Sequence, residues 1–312
     1  MRKAMVMFLV FTLLFSLVPI KKDSYVFAQN NIKIGDYIYF GNYYGEPILW
    51  RIINIDEDGN PLLFSNNILT LKAYDTNENN WERSTIRTWL NSGEEKVRYS
   101  NKAPSKDNVE GNCYDKESGF LYGFTKNEKK SILPIEHRVI LAKRDYNERT
   151  GGSKPLVADY ELHWKERNKK YSKLYLGAEH YYNNAYYKNI KDSVFLLSVR
   201  EVKKYVLDRK WDYNAYPTKQ ALENAEVNYL VYHSKSYLSE DENAPYWFRT
   251  PMGDSEDSVV LSGYWTVCDS VQVYAGEIGV RPALYLNLSK ISLKEGTGTK
   301  KSPYKLAYAN KS

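Results

Sequence analysis

Pro47-Ile48-Leu49-Trp50-Arg51-Ile52-Ile53-Asn54-Ile55, then Asp56-Glu57-Asp58-Gly59-Asn60, then Pro61-Leu62-Leu63-Phe64-Ser65: the fold turns on this stretch. The first run is rich in β-branched and aromatic residues, the second is a tight polar turn, and the third returns apolar, so the three read as a β-hairpin. Upstream, Gly35-Asp36-Tyr37-Ile38-Tyr39-Phe40-Gly41 is a short strand between turn residues, and downstream residues 68–73 extend the pattern. The C-terminal third is β again. Pro245-Tyr246-Trp247-Phe248-Arg249-Thr250-Pro251 is a strand held between prolines. Residues 258–261, 266–268, 271–274 and 280–288 are short strands parted by Gly and Asp turns, and 304–306 is one more edge strand.

Helices fall between the two β regions. Ser84 caps a short helix whose Ile86, Trp89 and Leu90 form one apolar stripe. Thr125-Lys126-Asn127-Glu128 and Ser198-Val199-Arg200-Glu201 are capping boxes, opening helices that run to about residue 133, where Pro134 stops the first, and to about residue 207. Residues 192–197 read as a buried strand and 218–227 as a less regular helix. Strands at both ends with helices between them predict an α+β fold, with the first and last strands meeting in one sheet. Residues 29–312 read as a single α+β domain. A charged, Tyr- and Asn-rich insertion occupies about 143–190, with one helix near 160–168, and a short edge segment occupies 289–312.

The first 28 residues give the compartment. Arg2 and Lys3 precede an apolar run over residues 4–20, and Val26-Phe27-Ala28 follows with side chains suited to a signal peptidase. The reading is a signal peptide cut after Ala28 and a secreted, extracellular protein. An uncleaved N-terminal anchor is the alternative, although the run is shorter than the roughly 20 residues that span a bilayer and ends at Lys21 and Lys22. Membrane contact is expected only through this segment before cleavage. Removing it takes away Arg2, Lys3, Lys21, Lys22 and Asp23 and lowers the formal charge from +6 to +3. That mild balance, with no dense basic face, argues against nucleic acid as a partner. Two cysteines, Cys113 and Cys268, permit one disulfide in an oxidising compartment, with two separate thiols as the alternative.

Signatures of known chemistry are few. His137, His163, His180 and His233 lack metal-ligand spacing, so no metal and no cofactor is expected. The acidic run Gly253-Asp254-Ser255-Glu256-Asp257 lacks the spacing of a calcium loop and reads as a solvated turn. There is no Gly-x-Ser-x-Gly elbow, phosphate loop or His-Glu-x-x-His, and no catalytic residue is assigned. Aromatic residues make up 15% of the chain, with 29 tyrosines, a composition that suits wet binding surfaces as well as half-buried β faces. Trp247, Arg249, Tyr264, Trp265, Asp269 and Tyr274 are the candidate ligand-binding residues. Tyr264 and Trp265 follow Ser262-Gly263 in an expected turn. Gly279 is expected to supply a turn conformation that other residues disfavour. Arg281, inside the otherwise apolar Val280-Arg281-Pro282-Ala283-Leu284, is expected to be buried and paired or hydrogen bonded.

Seven blocks of this chain resemble a family of bacterial proteins, many of them secreted, known only as domain of unknown function 6273. They are residues 48–52, 62–65, Trp81 with 84–91, 124–132, 192–198, 247–251 and 279–288, and together they span most of residues 34–288. More distantly, the Gly279-Val280-Arg281 ending is similar to the Gly-Phe-Arg ending of C-type-lectin-like and formylglycine-generating folds. That similarity implies a C-type-lectin-like core of short antiparallel strands with long ligand-facing loops. The Trp-Asn-Asp and Glu-Pro-Asn motifs of calcium lectins are absent, as is the cysteine pair of the generating enzymes, so neither activity is expected. The resulting expectation is a secreted or cell-surface module that binds a glycan, peptide or protein. An extracellular hydrolase acting on a wall or host polymer, and a structural or adhesive surface protein, are the rivals.

Overall fold

The turn at residues 56–60 seeds the main sheet. Asp56 Oδ1 accepts the Asn60 N–H at 2.7 Å, and the Asp56 N–H donates to the Asn60 carbonyl at 3.0 Å, so the reversal is closed within five residues. The computed structural model describes residues 32–99, 104–105, 108–109, 114, 117–142, 144–145, 187–224, 239–251, 258–261 and 269–308. Its strands are β1 (Tyr37–Tyr43), β2 (Glu46–Ile55), β3 (Pro61–Ser65), β4 (Thr70–Leu71), β5 (Ile132–Leu133), β6 (Ile135–Ile140), β7 (Tyr187–Asp192) and β8 (Val194–Leu196). They continue as β9 (Trp247–Pro251), β10 (Ser258–Leu261), β11 (Asp269–Gln272), β12 (Gly279–Val280), β13 (Pro282–Leu286), β14 (Ile291–Glu295) and β15 (Lys305–Tyr308). No helix among the described residues is long and apolar enough to cross a membrane.

The chain is α+β, built on several small antiparallel sheets. The largest runs β1-β2-β3-β13-β5, with β8 also on β13. Residues 282–284 of β13 pair with β8, and Tyr285 and Leu286 pair with β5, so two short strands share one edge. The late strand β13 thus lies directly on the early strand β3, with Ala283 opposite Phe64. All five residues of β3 are buried, which requires cover on both faces of the sheet. Trp50, Ile52, Leu63, Phe195 and Leu284 are fully buried there. Each such side chain contributes about 1.5–3 kcal/mol by leaving water.

Local signals place most elements, and packing trims them. The helix Thr85–Leu90 begins at Ser84, whose Oγ accepts the Arg87 N–H at 3.3 Å. Both capping boxes form. The helix after Thr125 is Lys126–Ser131, two residues shorter than expected, because Ile132 and Leu133 pair with β13 instead. The helix after Ser198 is regular only over Val199–Val202 and continues as a widened turn over Lys203–Leu207. The strand expected over 192–197 breaks at Ser193, whose N–H donates to Asn91 Oδ1 at 2.9 Å rather than to a neighbouring strand. The hairpin of β6 and β7, not expected from the sequence, pairs Ile135 with Asp192 through Ile140 with Tyr187. It flanks the 143–190 insertion, most of which lies outside the described residues, as do the helix near 160–168, the strand at 266–268 and the acidic run 253–257.

Gly279 corrects one expectation. It is buried in β12, and its φ is not in the left-handed range. The requirement is space: an added Cβ would lie 2.7 Å from Ile68 Cδ1, so glycine lets Ile68 pack onto the β12 backbone. Arg281 is buried as expected, at 7% exposure. Its Nε donates to the Ser65 carbonyl at 2.7 Å and its Nη1 to the Tyr213 carbonyl at 3.3 Å, while its guanidinium lies 4.0 Å from the centre of the Phe64 ring.

Candidate functional site

Trp247 and Arg249, expected at a ligand surface, lie inside the molecule at 1% and 3% exposure. They sit on β9, which is covered on both sides, so the aromatic and the arginine serve packing and polar ties within the fold. Trp247 Nε1 donates to the Lys72 carbonyl at 2.7 Å. Arg249 Nη1 donates to Glu201 Oε2 and to the Leu196 carbonyl, each at 2.5 Å. Thr250 Oγ1, next along β9, accepts the Val199 N–H at 3.1 Å. Tyr274 is 38% exposed. Asp269 opens β11, and its side chain lies outside the described residues, as do Tyr264, Trp265, Cys113 and Cys268.

A second buried polar cluster adjoins Arg249. Asp192 accepts from Arg87 Nε at 2.6 Å and from Trp81 Nε1 at 2.9 Å, and His137 Nε2 lies 2.8 Å from it. An ionised carboxylate only accepts, so the His137 proton sits on Nε2 and leaves Nδ1 as a lone pair. That Nδ1 is buried without a hydrogen-bond partner. Burial, then the charge of Arg249, push the His137 pKa down against the pull of Asp192. Burial alone would raise the Asp192 carboxyl. The His137 hydrogen bond, the Arg87 charge and the Trp81 N–H outweigh it and hold the carboxyl below its ordinary range.

These shifts set an acid limit. The unfolded chain binds a proton at His137 near pH ~6.5, where the folded chain still resists it, so stability is full above that pH and declines as pH falls. Asp192 adds a second loss below about pH 4, as pH falls toward its depressed folded value. Urea unfolding midpoints measured from pH 8 to pH 4 should fall as the pH is lowered, and His137→Phe should flatten the portion between about 6.5 and 5. An identical slope in the variant would remove His137 from the account.

The tip of the β1–β2 hairpin forms one wall of a surface pocket. Tyr43 pairs with Glu46, leaving a two-residue turn of Tyr44 and Gly45 with φ of +52° and +86°. Both positive values make it the mirror-image turn that suits the twist of a hairpin. Asn42 Oδ1 braces it by accepting the Gly45 N–H at 2.8 Å. Asparagine or glycine is the usual occupant of the first turn position, and a tyrosine there is strained. Tyr44 is 48% exposed, and its ring stands edge-on to Tyr43 at 4.8 Å.

Residues 117–123 form the facing wall, including the short 3-10 helix Phe120–Gly123 with Tyr122 48% exposed. The pocket between has a volume of about 260 Å³ and is lined by Asn42, Tyr43, Tyr44, Glu117 and Tyr122, among others. Glu117 anchors it from below. Its Oε2 accepts the Tyr43 hydroxyl at 3.2 Å and lies 2.7 Å from the ammonium of fully buried Lys72. The Lys72 contact is an ion pair whose direction is poor for a hydrogen bond, and Glu117 Oε1 has no partner. Lys72 itself lies 4.7 Å and 4.5 Å from the ring centres of Trp89 and Tyr114. Burial first, and then the Glu117 charge, raise the Tyr43 hydroxyl well above its ordinary pKa, so it stays a donor. Trp247, by holding the Lys72 backbone, braces this pocket from beneath without lining it.

The family model described as "Domain of unknown function (DUF6273)" matches residues 58–288. No curated protein and no solved structure matches the chain.

Proposed function

This chain belongs to the family of domain of unknown function 6273, and from that premise we propose that it is an exported ligand-binding module whose ligand enters the tyrosine pocket at the β1–β2 tip. The observation that carries the reading is Tyr44. A bulky aromatic held at φ +52° and half exposed is poorly explained by folding, since asparagine would make the turn at lower cost. It is well explained by stacking on a ligand beside Tyr122 and Tyr43. The volume lies below the roughly 300–1,000 Å³ of drug-sized sites, so the pocket takes one ring or one side chain of a glycan, peptide or protein. A C-type-lectin-like core with ligand-facing loops belongs to the same proposal.

Glycan and peptide arrays probed with the mature protein, which on this reading begins at Gln29, identify the ligand. Tyr44→Asn should then remove about 2 kcal/mol of affinity. The same variant should be as stable as the parent or up to about 1 kcal/mol more stable, because the backbone strain is relieved. Opposite signs in the two measurements mark a residue kept for binding. A Tyr44→Asn protein that binds as the parent does would sink the pocket assignment.

A further inference from the structure

We infer that Arg51, Trp211 and Arg209 form an oxyanion-binding site, independent of the tyrosine pocket. Arg51 lies midway along β2, with its guanidinium carbon 3.5 Å from the centre of the Trp211 ring and 5.6 Å from that of Tyr37. Among the described residues its guanidinium makes no hydrogen bond and no ion pair, and its buried Nε has no partner. A planar fork of five N–H donors is held by stacking alone. Stacking covers one face of the guanidinium and leaves its edge for an acceptor, and a bidentate carboxylate, sulfate or phosphate matches that edge.

The surroundings add positive charge, and among the described residues no carboxylate forms an ion pair with it, although the Asp212 charge reaches Arg281 and offsets part of its burial. Arg209 lies 5.6 Å from the same Trp211 ring and 5.7 Å from Tyr205. Its Nη1 donates to the Ile53 and Tyr205 carbonyls at 2.8 Å and 2.9 Å, which fixes the side chain, and its other N–H groups have no acceptor among the described residues. Buried Arg281 faces Arg51 closely enough to lower its pKa, after burial as the larger cause. Neither Arg209 nor Arg281 is ion-paired among the described residues. Asp212 is the acid adjacent to Trp211, and its Oδ1 accepts the Asn214 N–H at 2.9 Å. Lys210, at φ +58°, places a further exposed cation between Arg209 and Trp211 in the chain. Three guanidiniums around aromatic faces, in a chain of mild overall charge, select one compact anionic group rather than a polyanion.

Calorimetric titration with inorganic phosphate, sulfate and acetate, each against chloride at equal ionic strength, tests the site and separates tetrahedral from planar anions. The mature protein should show saturable binding to at least one of the three and none to chloride. Arg51→Gln should weaken it at least about tenfold and Arg209→Gln by a smaller factor. Lys301→Gln, at an exposed lysine elsewhere, and Tyr44→Asn should leave it unchanged. Arg51→Lys keeps the charge but loses the fork, and it too should bind about tenfold more weakly, which preserves the test if Arg51→Gln fails to fold. Equal binding by the parent and the Arg51 variants, or no saturable binding beyond chloride, would overturn the inference.

Discussion

Arg249→Ala should lower the free energy of unfolding by about 3 kcal/mol, the lower end of the range for breaking a buried ion pair. The Arg249 side chain is 3% exposed and Glu201 21%, so part of the Glu201 charge can still reach water, which keeps the loss from being larger. Burial would raise the Glu201 carboxyl, and Arg249, by charge and hydrogen bond, together with the Ser198 N–H, holds it low. Without Arg249, Glu201 keeps only the donors from Ser198 at 2.7 Å and 3.1 Å, and the Leu196 carbonyl loses its partner. The substitution also opens a space against Phe195, whose ring centre lies 5.5 Å from the guanidinium. Urea denaturation of Arg249→Ala, Glu201→Gln and an Arg249→Met/Glu201→Gln double variant separates the terms. The double variant should recover a substantial part of the loss, because no unpaired charge remains. A loss below about 1 kcal/mol in Arg249→Ala would place the pair in the solvent-exposed class and return Arg249 to the ligand surface.

Gly41→Ala should cost about 2–5 kcal/mol and also weaken ligand binding at the β1–β2 tip. Gly41 has φ +69° at the point where the pairing of β1 with β2 shifts between Tyr39 and Asn42. Such a bulge uses glycine in the left-handed region, where a Cβ costs roughly 1–2 kcal/mol. Here the Cβ would also lie 2.1 Å from Phe124 Cε1, inside the ring packed on Phe40, and forced repacking of that kind adds about 1–3 kcal/mol. Gly45→Ala is the control. Gly45 has φ +86° but no atom within 4 Å of an added Cβ, so it should show the strain alone. Equal losses in the two variants would mean that Phe124 yields freely and that the bulge does not set the path of Tyr43 and Tyr44.

The Gly45 position also shows how the site could have been found from sequence. Asn42-Tyr43-Tyr44-Gly45-Glu46 carries a glycine two residues before Pro47 and the apolar run, which is a two-residue hairpin signal. Ending the first strand at Gly41 hides it, because the glycine there is a bulge and not a stop. The β6 strand left a similar trace in Ile135, His137 and Val139 alternating with Glu136 and Arg138, overshadowed by Pro134 just before it. The pairing of Glu117 with Lys72 left no trace, since neither neighbourhood implies the other.

By itself the sequence determined the features whose energetics close within a few residues. These are both capping boxes, the Ser84 cap, the turn at residues 56–60 and the α+β order of the elements. The burial of Arg281 was legible for a related reason: its neighbours on both sides are apolar strand residues. Only the tertiary structure decided which aromatics face water. Trp247 and Tyr44 are alike in sequence terms, each in a β segment beside other aromatics, yet one is 1% exposed and the other 48%. Burial is set by what lies across from a side chain, and for Trp247 that includes the carbonyl of Lys72, 175 residues away along the chain. Tyr44 lines instead a pocket whose far wall comes from residues 117–123. Contacts at such separation are fixed by the closure of β13 onto β3 and by the packing that follows it, and no local pattern encodes them.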